Sequence, residues 1–350
     1  MKQLLLTMSV CITIGWLLSL TGSPAPYLLG SLVAAWTLVK SLPTNLPQPG
    51  IPIWFRTSVI LGLSVLIGAA FSPEVITQLG LWSGTIFTML VTTVIATISG
   101  YSFLYRCRQY NPTLAFLCAL PGGQAEVIAI SQDLVEKDYV VAFCHLVRVA
   151  VVVCLIPLLL MISEGSEGVA ASNIAISQLP SVFNLSGVLI LQFIAIGVAS
   201  YVLAIVLRIP MPHLLGPILL SGVLHILGWV EIPRINEFVI LAQVTIGAAI
   251  GVKIGRVKNS ELTAYFFDAL GLAIILVSIY SLAAVGMAYF GGISTMKMML
   301  AFIPGGIYEA TILALIFGFD VAFVAFHHTV RVIVIFFGLP FLLKKLQSNE

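Results

Sequence analysis

Pro121-Gly122-Gly123-Gln124-Ala125-Glu126, followed about twenty residues later by His145-Leu146-Val147-Arg148, occurs in this chain twice. The second copy is Pro304-Gly305-Gly306-Ile307-Tyr308-Glu309 followed by His328-Thr329-Val330-Arg331. Every matched point lies 183 residues on (304 − 121, 309 − 126, 328 − 145, 331 − 148, and Pro340 − Pro157), so the chain reads as a duplication. Each copy places a glutamate, a histidine and an arginine in surroundings that are otherwise almost wholly apolar.

Those surroundings place the chain in a bilayer. Of 350 residues, 60% are hydrophobic and 9% charged, against about 25% charged in an ordinary soluble domain. The 16 basic residues against 14 acidic ones give a formal charge of +2, and they are scattered singly, without the basic patch a nucleic-acid surface needs. The five cysteines, Cys11, Cys107, Cys118, Cys144 and Cys154, lie in or beside apolar runs without CxxC spacing, so they read as small buried hydrophobes. The run from Leu4 to Leu20 has no small-x-small cleavage site before Pro24-Ala25-Pro26 and reads as a first transmembrane helix rather than a signal peptide.

A span of hydrocarbon takes about 20 apolar residues. The first half supplies candidates near 4–20, 26–40, 54–71, 82–105 and 139–162, and the second near 184–207, 212–230, 235–254, 262–290 and 320–343. Turn chemistry separates them at Gly22 to Pro26, Pro43 to Pro52, Ser72-Pro73 and Asn111-Pro112. Trp54 and Trp82 fall at helix ends, where an interfacial aromatic belt lies. The domain plan is therefore a first membrane repeat over 1–162, a polar linker over 163–184 that carries Glu164 and Glu167, and a second repeat over 185–350.

The segments 111–137 and 293–318 differ, since Pro-Gly-Gly interrupts each one. Proline removes a donor and breaks the helix, and paired glycines let the backbone turn sharply. Each segment is two half-helices, set either as a re-entrant hairpin or as a broken span. Basic residues accumulate on the cytoplasmic side. With the N-terminus inside and the broken segments not crossing, twelve basic residues fall inside and two outside, Arg148 and Arg331 set aside; if the segments cross, the split is nine to five. The first topology is preferred. Five crossings per half then make the repeats inverted, the plan on which many secondary transporters place their substrate between broken helices.

Arg148 and Arg331 lie ten or eleven residues into their helices, at about 1.5 Å per residue roughly the bilayer midplane. An arginine there costs on the order of 3 kcal/mol and demands a polar partner. Glu126 and Glu309 are the obvious partners, and ion pairs that only fix packing would account for them. As third residues of half-helices after a glycine N-cap, the same carboxylates can instead fold back on free amides. His145 and His328 share a helical face with their arginines. The functional alternative is that Gly122, Gly123, Glu126, His145, Arg148, Gly305, Gly306, Glu309, His328 and Arg331 bind a small anion or carboxylate at the breaks. No residue is assigned a catalytic or metal-binding role: His327 and His328 point to different faces, and His213 and His225 add no tight ligand spacing. His225 reads as a satisfied interior histidine, and Gly247, Gly251 and Gly255 as a close-packing face.

The doubled Pro-Gly-Gly-x-x-Glu followed by His-x-x-Arg, with Pro26-Tyr27-Leu28-Leu29-Gly30 and Pro212-His213-Leu214-Leu215-Gly216, resembles the membrane AbrB-duplication family over nearly the whole chain. Asp138 and Asp320 fall one position out of register between the copies. Members carry the labels AbrB-like regulator of gene expression and ammonia monooxygenase, and these are what the resemblance implies. Five scattered histidines do not supply the clustered ligands copper needs, and the chain has no domain for direct DNA contact.

The expectation is thus an all-α polytopic protein of a bacterial cytoplasmic membrane, with two inverted five-helix repeats. It acts as a permease for a small, anionic solute, more a carrier than an enzyme. A membrane regulator working through a partner or by sensing a solute is the alternative, and a monooxygenase the third. No cofactor is expected; the lipid bilayer, a solute and further copies of the chain are the partners.

Overall fold

The structure is a computed structural model. It describes residues 2–43, 47–122, 124–257 and 259–347; within these, the side chains at 79, 124–126, 129, 259–263, 340, 341 and 344–347 are not described. Gly123 and the side chain of Glu126 therefore lie outside what can be placed.

The described residues form an all-helical chain. In order the helices are α1 (Lys2–Ser19), α2 (Pro26–Ser41), α3 (Ile53–Gly68), α4 (Pro73–Leu79), α5 (Ser83–Ser102), α6 (Pro112–Ala119), α7 (Gln124–Leu134), α8 (Asp138–Ser177), α9 (Gly187–Val206), α10 (Leu215–Ile226), α11 (Asn236–Arg256), α12 (Asn259–Gly291), α13 (Thr295–Phe302), α14 (Ile307–Ile316) and α15 (Val321–Gln347). A π-helical turn, Phe103–Cys107, extends α5. Seven helices, α1, α5, α8, α9, α11, α12 and α15, are long and apolar enough to cross a membrane. The protein is a multi-pass membrane protein.

Two expected spans give helices well short of a full crossing: 54–71 gives α3 with 16 residues, and 212–230 gives α10 with 12. At about 1.5 Å per residue, α10 covers roughly 18 Å. It starts late because Pro210 and Pro212 alternate with Arg208 and Met211 in left-handed backbone (φ 55 and 48), which no helix continues through. The polar stretch after residue 163 is not open chain either. Gly165 (φ 69) breaks α8, and the helix resumes to Ser177. Asn173 on that extension donates from Nδ2 to Ser23 O at 3.2 Å.

The 183-residue offset reappears in the helices themselves. Matched starts are 53 and 236, 112 and 295, 124 and 307, and 138 and 321. Neighbour relations match as well: α2 packs on α11 as α10 packs on α3, α1 on α2 as α9 on α10, and α5 on α6 as α12 on α13.

Two compact units divide the chain, and each draws on both sequence halves. The first comprises Met1–Gly80, Ile156–Arg256 and Thr311–Ala322; the second comprises Leu81–Leu155, Val257–Ala310 and Phe323–Glu350. In the first unit, Leu4, Met8 and Cys11 of α1, Ala34 and Ala35 of α2, and Val244, Ala248 and Val252 of α11 form one core. The glycines of α11 make this approach possible. A Cβ at Gly247 would collide with Ser31 Oγ and Leu28 O, and one at Gly251 with Leu32 O, so the small-residue face is a packing face. His225 is a satisfied interior histidine: Nδ1 meets Ser221 O at 2.7 Å, and Nε2 accepts from Ile232 N at 3.0 Å.

Candidate functional site

The second unit contains both Pro-Gly-Gly breaks and both His/Arg pairs. Its chemistry starts from half-helices that stop inside the unit, at buried residues. The last carbonyls of a helix have no partner within it and carry the negative end of its dipole. Leu117 O and Leu120 O at the end of α6, and Leu300 O, Phe302 O and Ile303 O at the end of α13, are such groups.

The arginines and histidines answer them. Arg148 Nη1 donates to Leu120 O at 2.7 Å, and Arg148 Nη2 meets His145 Nδ1 at 3.0 Å. His145 Nε2 meets Leu117 O at 3.0 Å. In the second copy, Arg331 Nη1 donates to Phe302 O and Ile303 O, both at 2.9 Å, and Nη2 donates to Gly305 O at 3.2 Å and meets His328 Nδ1 at 2.8 Å. His328 Nε2 meets Leu300 O at 2.9 Å. A carbonyl only accepts and a guanidinium only donates, so each imidazole must carry its proton on Nε2 and present the Nδ1 lone pair to its arginine.

Arg148 and Arg331 both take helix-end carbonyls as acceptors; the expected pairing of Arg148 with Glu126 lies outside the described side chains, and elsewhere in the unit Arg108 pairs with Asp268. Glu309, 2% exposed, sits third in α14, and its carboxylate lies against Gly306, where an added Cβ would collide with it. The carboxylate thus lies back over the start of its own helix.

The breaks of the two copies pack crosswise. Gly122 has φ 141, and a Cβ there would lie 3.1 Å from Ile335 Cδ1 and 3.6 Å from Arg331 Nε; a Cβ at Gly305 would lie 3.3 Å from Val152 Cγ1. Ile335 and Val152 are themselves 183 residues apart. Arg148 is 2% and Arg331 0% exposed, and the two guanidinium groups are close enough for Arg148 to feel the charge of Arg331. The Nε–H groups of both arginines are buried without a hydrogen-bond acceptor.

His145, Arg148, Gly122, Gly305, His328 and Arg331 thus gather at the two breaks, while Gly306 and Glu309 line the start of α14. Two participants were not read from the sequence. Tyr280 of α12, 1% exposed, lies with its ring centroid 5.6 Å from Arg331 Cζ, within cation–π range. Its hydroxyl donates to Thr93 Oγ1 of α5 at 2.7 Å. The signal was present: a single tyrosine in the middle of an apolar run, and five threonines on α5. No group of three His, Cys, Asp or Glu side chains among the described residues could hold a metal ion.

The chain belongs to the AbrB family, described as "Transition state regulatory protein AbrB", whose family model matches residues 35–347. The chain is 28% identical to "Uncharacterized protein YhjN" of Bacillus subtilis (strain 168) over 350 residues, covering 93% of this chain and 88% of that one. It is 27% identical to "Putative regulator AbrB" of Escherichia coli (strain K12) over 345 residues, covering 96% and 94%.

Proposed function

We propose that this protein is an inner-membrane permease for a small anionic solute, with Arg148 and Arg331 at its binding site and two inverted repeats around them. The observation that carries this reading is the buried pair of guanidinium groups, near one another, each with an Nε–H that meets no acceptor. A buried donor left unmade costs about 1–3 kcal/mol, more when charged, and two like charges at depth add repulsion. A carboxylate, phosphate or similar anion relieves both costs. The carbonyl caps hold the arginines in place and carry no net charge of their own, whereas an anion would supply both the acceptor and the opposite charge. The inverted arrangement is supported by the odd number of crossings that the basic-residue distribution favours; cysteines at Ser166 and Lys344 should label from opposite sides, and same-side labelling would remove it.

The relative named as a regulator favours a second reading, in which the same anion site senses a solute and signals through a partner. A thermal-shift screen of purified protein against small organic and inorganic anions tests what both share. At least one anion should raise the unfolding temperature, with no effect in Arg331→Lys; stabilisation only by cations would overturn the assignment. Uptake by vesicles then separates permease from sensor.

A further inference from the structure

The duplication makes the two broken segments equivalent in sequence, yet their outer ends are built differently. Residues of one cavity of about 510 Å³ include Arg108, Tyr110, Thr113, Leu114, Lys137 and Tyr265. They come from both the start of α6 and the chain just past the end of α7, so this broken segment begins and ends at the same cleft and doubles back rather than crossing. Leu114 lines the cleft, and Cys118, four residues on, lies one turn deeper on the same face of α6. Arg148 holds Leu120 O a little beyond it.

Two of the residues that line this cleft, Arg108 and Tyr110, share one carboxylate. Tyr110 donates from its hydroxyl to Asp268 Oδ2 at 3.1 Å, and Arg108 Nε pairs with Asp268 Oδ1 at 2.5 Å. Tyr110 packs edge-on to Tyr265, with centroids 6.3 Å apart. Burial above all pushes the Tyr110 phenol up, so it remains a neutral donor to a carboxylate that is 8% exposed.

Subtracting 183 takes Tyr265 to Trp82 and Asp268 to Thr85; adding it takes Tyr110 to Ile293, Cys144 to His327 and Cys118 to Ala301. At that second end the groups are packed shut. Trp82, 5% exposed, stacks edge-on to Phe323 at 5.2 Å and lies 5.6 Å from Phe326, and Thr85 Oγ1 meets His327 Nε2 at 2.8 Å.

We infer that the cleft over Tyr110 and Asp268 is the entrance through which a small anion reaches Arg148 and Arg331, that the Tyr110–Asp268–Arg108 contact is its latch, and that the Trp82–His327 end is the closed exit. This rests on the anion-site reading of the two arginines. It adds which end is open and what must break for passage: one hydroxyl bond and one ion pair, both partly in reach of water, against a dry aromatic plug on the other side.

Single-cysteine proteins in detergent micelles test it without knowledge of the solute, because both ends are then accessible. One retains native Cys118; its counterpart carries Ala301→Cys instead. The probe is the anionic 2-sulfonatoethyl methanethiosulfonate, compared with its cationic 2-aminoethyl analogue. Cys118 should react at least tenfold faster than Ala301→Cys, the anionic reagent should be the faster at Cys118, and Tyr110→Phe should raise Cys118 labelling several-fold while leaving Ala301→Cys unchanged. Asp268→Asn serves as the second unlatching variant, with elution volume on size exclusion as the folding check. Faster labelling of Ala301→Cys, or no response of Cys118 to either folded latch variant, overturns the entrance. Loss of the anionic preference with the positional pattern intact instead counts against the anion site, so the two failures are distinguishable.

Discussion

At Gly122 and Gly305 the same residue in the same motif does different work. Gly122 has φ 141, a region L side chains rarely enter, and a Cβ there would meet Ile335 Cδ1 at 3.1 Å; Gly305 lies outside that region, with Val152 Cγ1 at 3.3 Å as its nearest contact. Held backbone strain of this kind costs on the order of 1–3 kcal/mol, and the flexible end of a side chain yields more cheaply. Gly122→Ala should therefore lower stability by about 1–3 kcal/mol, and Gly305→Ala by under about 1 kcal/mol, read as thermal or denaturant unfolding in detergent. Equal losses would mean that the copies adopt the same backbone at the break. The residue scale is also where the sequence spoke least plainly. His-x-x-Arg spacing placed the imidazole beside its guanidinium, and the pairs do meet at 3.0 and 2.8 Å. What spacing could not say is that helix-end carbonyls would be acceptors for the arginines, because carbonyl groups have no letter in a sequence and become acceptors only once the helix stops.

Among elements, the half-helices show where the copies diverge. Asn111 caps α6, its Oδ1 accepting from Thr113 N at 2.9 Å and Leu114 N at 3.4 Å. Ser294 stands in the matched position of α13 and makes no side-chain cap bond. Removing a working N-cap costs about 1 kcal/mol, so Asn111→Ala should destabilise by that amount while Ser294→Ala is near neutral. Chemical denaturation of the two variants side by side measures the difference; a larger loss at Ser294 would contradict the capping geometry. The broken segments themselves were legible, since proline followed by two glycines forbids a continuous helix, and both breaks fall between α6 and α7 and between α13 and α14. Helix lengths were less so. Hydrophobic runs gave ten spans of similar length, but α10 keeps only 12 residues, because an apolar residue in a left-handed turn looks like any other apolar residue.

On the scale of the whole molecule, the chain folds into two compact units that each take helices from both halves of the sequence. Membrane class and family membership were legible from composition and from the doubled motif; the exchange between halves was not, because it depends on which apolar faces meet. The second unit concentrates buried cationic groups, which on the proposed function bind an anion that crosses the membrane. Uptake of radiolabelled small carboxylates and inorganic anions by proteoliposomes tests this most directly, comparing wild type with Arg148→Lys and Arg331→Lys. Lysine keeps a charge for the helix-end carbonyls but loses the planar fork that recognises a carboxylate or phosphate. The account predicts accumulation of at least one anion by wild type and a tenfold or greater loss in each folded lysine variant; uptake at the wild-type rate in both variants, or accumulation of cations alone, would contradict it.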